Sequence, residues 1–193
     1  MKTLPLLLLL LLLTAACSRA SGQDDPNGPF FHPPANAELS LPELPDAPAV
    51  GEPVVKNDFE WNEALDDEPY RVLRQHGTER PFRNAYHDHH AEGVYTCGGC
   101  GAPLFTSADK FDSGTGWPSF TRPAQDGRVG TDVDHSFGMR RVEVHCASCA
   151  GHLGHVFPDG PAPDGQRYCI NSASLHFVPH DVDGDGQTTN DIQ

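Results

Sequence analysis

Two cysteine pairs restrict what this chain can fold into more than any other feature. Cys97-Gly-Gly-Cys100 and Cys146-Ala-Ser-Cys149 stand 45 residues apart. A two-residue spacer lets both thiolates of a pair converge on one ion about 2.3 Å away, in tetrahedral geometry. Four soft thiolates with no open position describe a structural zinc site rather than one that activates water. Glycines at 98, 101 and 151 allow the tight turns such a site requires. The ion would tie together two hairpins far apart in sequence, which suits a small domain with a modest core. A disulfide framework or a redox-active CxxC is the competing reading; two matched pairs favour zinc.

Two of the six cysteines lie outside these pairs. Cys17 follows Lys2, an unbroken apolar run from Leu6 to Leu13, and the small residues Ala15 and Ala16. The apolar stretch is too short for a bilayer of roughly 30 Å and reads as a secretory leader over residues 1–16. Its end resembles the lipobox of bacterial lipoproteins, which implies that Cys17 is acylated and anchors the chain to a membrane. Cys169 then remains without a partner: a reactive thiol or a buried inert one.

Residues 18–56 hold eight of the chain's 18 prolines and no periodic apolar pattern. With the lipidated Cys17 they read as a linker, residues 17–56, unable to offset its own ordering entropy. From Asn57 the pattern changes. Phe59, Trp61 and Leu65 suit a short helix, and a second is expected from an N-cap at Asp67 to Gly77. Beyond it, short strands and turns predominate: Val94 to Thr96, and Arg140 to Cys146 with Val142, Val144 and Cys146 on one face. The expected fold is mainly β, antiparallel sheets with short N-terminal helices over residues 57–179. The tail, residues 180–193, is acidic. Asp181, Asp183, Asp185 and Gly186 look like half a calcium loop, but Ile192 stands where the bidentate Glu belongs, and the segment reads as solvated. With 27 acidic against 13 basic residues the net charge is -14, which excludes the basic footprint of a nucleic-acid binder.

Three stretches resemble the signature of the methionine sulfoxide reductase B family: Gly114-Thr-Gly-Trp-Pro-Ser-Phe120, Gly151-His-Leu-Gly-His-Val-Phe157 and Arg167-Tyr-Cys-Ile-Asn-Ser172. The likeness runs from Trp61 to Phe177 and includes Gly77-Thr-Glu-Arg-Pro-Phe82 and Gly138-Met-Arg-Arg141. It implies the β-tent-like fold of that family, a structural Zn2+ on Cys97, Cys100, Cys146 and Cys149, and reduction of the R epimer of methionine sulfoxide. By the same resemblance Cys169 is the nucleophile. His155 is the proton donor or orienting group, and His152 and Asn171 complete the polar side. Trp117 with Phe120 forms the apolar wall for the substrate methyl group. Such an asymmetric pocket selects one epimer. His87, His89 and His90 have no counterpart in the signature and read as a solvated loop.

One departure matters. Many members carry a resolving cysteine in Ser-Gly-Cys-Gly-Trp, where this chain has Thr115. The sulfenic acid left on Cys169 would then be reduced by an external thiol or a thioredoxin-like partner. The leader implies an exported enzyme on the bacterial envelope, at its periplasmic face, with oxidised proteins or methionine sulfoxide as substrate. Arg19 rather than Asp after Ser18 points to outer-membrane sorting. A zinc-ribbon binding module and a CxxC thiol-disulfide oxidoreductase are the rival readings.

Overall fold

The computed structural model describes residues 41–180, all within one structural unit, Ala35–Gln193. The leader, Cys17, most of the linker and the acidic tail lie outside the described residues.

Two short helices come first. In α1 (Asp58–Ala64), Asn57 and Glu60 form a capping box, each side chain accepting from the other's backbone N–H. In α2 (Asp67–Gln75) the N-cap is Asp66, one residue before the expected Asp67, and His76 takes the left-handed turn that ends it, with φ 54. Gly77 follows it and leaves no room for a side chain. A Cβ there would lie 2.8 Å from the Arg71 carbonyl oxygen, because the Gly77 N–H closes the helix onto that same oxygen. Each helix drives one side inward: Trp61 from α1, Val72 and Leu73 from α2.

Nine antiparallel strands follow among the described residues, in two sheets. The smaller has order β2-β1-β9, with β1 Gly93–Cys97, β2 Pro103–Thr106 and β9 Leu175–Pro179. The larger has order β3-β4-β8-β7-β6-β5. Its strands are β3 Lys110–Phe111, β4 Ser119–Phe120, β5 Val129–Asp134, β6 Arg141–Cys146, β7 His152–Phe157 and β8 Arg167–Ile170. A mainly β, antiparallel architecture with N-terminal helices is thus what forms. The core joins both sheets and both helices through Trp61, Leu73, Tyr95, Phe105, Phe120 and Leu153. Phe105 stacks on Phe120 at 4.4 Å between centroids, and Tyr95 meets Phe120 edge-on at 5.1 Å.

Val142, Val144 and Cys146 share one face of β6, as its unbroken register with β5 requires, with Val142 36% exposed at the end of that row. Two local expectations need correction. His89 is not a solvated loop residue: its Nδ1 meets the Tyr95 hydroxyl at 2.8 Å and its ring packs on Phe177 at 4.3 Å. Residues 48–56, grouped with the linker on composition, lie against the domain. Val54 donates to Ser148 O, Pro48 O accepts from Arg128, and the Lys56 amine sits 4.8 Å from the Trp61 ring.

Candidate active site

The cysteine pairs sit at equivalent places on two hairpins. Cys97 ends β1 and Cys100 precedes β2; Cys146 ends β6 and Cys149 precedes β7. In each knuckle the backbone curls back on the first cysteine, with Gly101 N–H donating to Cys97 O and Ala150 N–H to Cys146 O, both at 2.8 Å. The left-handed residue is Gly101 in the first and Ala150, not Gly151, in the second. Gly151 is required for another reason, since a Cβ there would meet Leu73 at 2.8 Å.

The sulfurs are 3.7 Å apart for Cys97 and Cys149 and 3.6 Å for Cys100 and Cys146. A tetrahedron with metal–sulfur bonds of about 2.3 Å has edges of about 3.8 Å, so the donor set fits one zinc ion. The electrostatics agree with that need. Contact with Cys100 and the other sulfurs pushes the Cys97 thiol well up, while contact with Cys100 pulls Cys146 down. Four thiolates cannot coexist here without a cation between them. A metal bound by all four would supply structure alone, joining the small sheet to the large one.

Cys169 lies in the middle of the large sheet, on β8. Its direct partner on β7 is His155 and on β4 Ser119. Its surroundings are polar. Ser113 Oγ contacts Thr115 Oγ1 at 2.8 Å and Ser119 Oγ at 2.7 Å, and Thr115 and Arg167 both bear on the thiol. Burial pushes Cys169 above its ordinary value of 9.0, and Arg167 and Thr115 pull against that. Arg167 stands two residues before Cys169, is held by Asp159 through paired 2.9 Å contacts, and lies 4.5 Å from the Phe157 ring centroid.

His155 Nε2 meets Asp134 Oδ2 at 2.8 Å, and the same oxygen accepts from Arg141 at 2.6 Å. The Ser136 backbone N–H and His155 hold the Asp134 carboxyl well below its usual range. The Nε2–H therefore faces a carboxylate, leaving Nδ1 for a reacting group. His152 and His155 are three apart and would point to opposite faces of a regular strand. A bulge at Leu153, where Val144 pairs with Gly154 but His145 pairs with His152, brings them onto one face. Their rings stand 5.5 Å apart. His152 is buried, and its Nδ1 contacts Glu143 Oε1 at 2.5 Å.

Other expected residues have scaffold partners. Asn171 is 3% exposed; its Nδ2 donates to Leu153 O and its Oδ1 accepts from Glu79 N. Trp117 is half-buried, with its indole N–H donating to Glu79 O at 3.3 Å. Phe120 is 0% exposed and packed between Phe105 and Tyr95. It offers no surface to a substrate and backs the site from the core. Sequence reasoning did not single out Glu79, whose carboxylate accepts from Ser172 N and Ala173 N, nor Asp134, Arg167 or Glu143. Glu79 and Arg167 lie inside the quoted motifs, Glu143 just after one of them and Asp134 outside all of them. None carries a local pattern that announces its partner.

A knuckle-bound β fold presenting one half-buried cysteine beside a histidine–carboxylate pair defines a thiol-chemistry domain of restricted type. The SelR domain matches residues 65–179. Peptide methionine sulfoxide reductase MsrB of Thiobacillus denitrificans is 59% identical over 128 residues, covering 65% of this chain and 96% of that protein. The protein of the same name from Hahella chejuensis is 54% identical over 134 residues, covering 69% and 95%. That from Bradyrhizobium diazoefficiens is 53% identical over 138 residues, covering 70% and 99%. The chain belongs to the methionine sulfoxide reductase B family.

Proposed function

We propose that the protein reduces the R epimer of methionine sulfoxide in peptides to methionine, with Cys169 as nucleophile. The observation that carries this is the cross-strand pairing of Cys169 with His155, whose Nε2 is tied to Asp134. The Cys169 thiolate attacks the sulfoxide sulfur, while His155 delivers a proton to the oxygen. With a second proton the S–O bond breaks and water leaves, giving a sulfur–sulfur bonded sulfonium. A water molecule then attacks the Cys169 sulfur, the S–S bond breaks, methionine leaves, and Cys169 is left as a sulfenic acid with release of one proton. Two equivalents of an external thiol return Cys169 to the thiol, forming a disulfide of their own and water. Trp117, anchored through its N–H, supplies the apolar wall for the methyl group, and Arg167 favours the thiolate. Asn171 and His152 act as positioning groups.

With Thr115 against Cys169 and the other cysteines of the described residues clustered on the knuckles, the reductant comes from outside the domain, as a thioredoxin-like protein or another thiol. The leader-like sequence ending at Cys17 supports export and a lipid anchor, and so repair of oxidised proteins at the bacterial envelope.

The test is dithiothreitol-dependent turnover of the two dabsylated methionine sulfoxide epimers by wild type and Cys169→Ser. Turnover of the R epimer alone, lost in the variant, is expected. A folded, zinc-loaded wild type inactive on both epimers would move the protein to a binding module.

A further inference from the structure

Three side chains from three elements converge beside the outer end of β7. His76 closes α2, Glu143 stands on β6, and His152 opens β7. His76 Nδ1 and His152 Nδ1 meet the same oxygen, Glu143 Oε1, at 3.0 and 2.5 Å. All three ligand atoms lie within 4.8 Å of one another. The two rings are 5.2 Å apart and tilted by 45°.

We propose that this cluster is a second metal site, of the two-histidine, one-carboxylate kind, for Zn2+ or another divalent first-row transition cation. Two imidazole nitrogens and one carboxylate oxygen are the donors such cations take, with the fourth position left to water. Bonds of about 2.0–2.1 Å in tetrahedral arrangement separate ligand atoms by about 3.3–3.4 Å. The two contacts to Glu143, at 3.0 and 2.5 Å, open by less than about 1 Å to reach that spacing, and the two ring nitrogens, within 4.8 Å of each other, close to it by at most about 1.5 Å. His76, with its side chain 67% exposed, has the freedom to make these movements. Burial depresses the basicity of His152, which suits a neutral ligand. Binding needs only a change of tautomer in each neutral ring, the proton passing from Nδ1 to Nε2, so that both Nδ1 lone pairs face the ion.

The site differs in kind from the knuckles. It has no thiolate, it opens to solvent, and its ion would exchange. Occupied, it would pin the end of α2 to β6 and β7 and fix His152, the ring beside His155. It stands on the convergence of the three side chains, independently of the reductase reading.

The experiment counts zinc per chain in the full-length protein by equilibrium dialysis against excess Zn2+, with the free concentration subtracted. Two per chain is expected for wild type and one for His76→Ala, which removes an exposed ligand outside the Cys169 pocket. Protein carrying one zinc per chain, on the four cysteines, is titrated with Co2+ to provide the ligand readout. Weak visible bands without thiolate charge transfer, absent in His76→Ala, are expected. One zinc per chain in wild type, or a second zinc retained by His76→Ala, would reduce the trio to a hydrogen-bonded cluster and overturn the proposal. A cobalt spectrum dominated by thiolate charge transfer would do the same.

Discussion

His155 lies directly opposite Cys169 in the β7–β8 ladder, so the proposed proton donor is placed by main-chain register rather than by a flexible loop. Register slips are costly where one face is buried, because a one-residue shift turns every side chain over. Gly154 makes this register possible. A Cβ at Gly154 would sit 2.1 Å from the Cys169 carbonyl oxygen, and backbone cannot yield as a side chain does. Gly154→Ala is expected to lower stability by at least about 1–3 kcal/mol and to abolish turnover, measured by denaturant unfolding and the epimer assay.

Asp134 orients His155 through Nε2. Asp134→Asn keeps the shape but removes the charge that the His155 ring faces. Turnover should fall by roughly tenfold to a hundredfold, and because the depressed carboxyl contributes stability above the ordinary carboxylate range, the melting temperature at neutral pH should fall as well. An unchanged rate would remove Asp134 from the mechanism.

Burial raises the Cys169 thiol and Arg167 opposes it. Alkylation by iodoacetamide proceeds through the thiolate, so its rate should climb with pH to a midpoint above the ordinary 9.0. In Arg167→Met, with the opposing positive charge gone, the midpoint should move higher still. A midpoint that stays put or falls would contradict the electrostatic role assigned to Arg167.

Thr115 bears on the Cys169 thiol. Thr115→Cys should therefore trap the oxidised enzyme as an intramolecular disulfide after one turnover, visible in a peptide map. The wild type under the same treatment should carry a sulfenic acid that dimedone labels. A Cys169 bridge in the wild type would refute the external-reductant reading.

The four-sulfur cluster joins β1–β2 to β6–β7. Binding free energy at structural zinc is folding free energy. Cys149→Ser, or prolonged exposure to a strong chelator, should abolish cooperative thermal unfolding and the near-ultraviolet circular dichroism of Trp61. A chelated protein melting at the wild-type temperature would show the ion to be dispensable.

The knuckle spacing, the mainly β class, the short helices and the place of Cys169 in its motif were all legible in the sequence, because each depends on residues close in the chain. The sequence offers Gly151 for the second turn, yet Ala150 is the left-handed residue. Composition cannot distinguish a glycine needed for its φ from one needed to admit Leu73. Phe120 was placed in the pocket since it closes a motif, yet alternation and the stack on Phe105 turn it into the core.

By itself, the sequence determined which residues could hold zinc, which cysteine of the domain stands outside the two pairs, and the family whose motifs the chain carries. Tertiary structure alone decided that His152 and His155 share a face, since strand periodicity separates them and only the bulge at Leu153 reunites them. It also decided that Asp134, Glu79 and Arg167 meet the site, and that Glu143 lies between two histidines. These contacts cross strands and sheets, where pairing is set by the burial of whole faces and by backbone hydrogen bonds, and no local pattern records the partner.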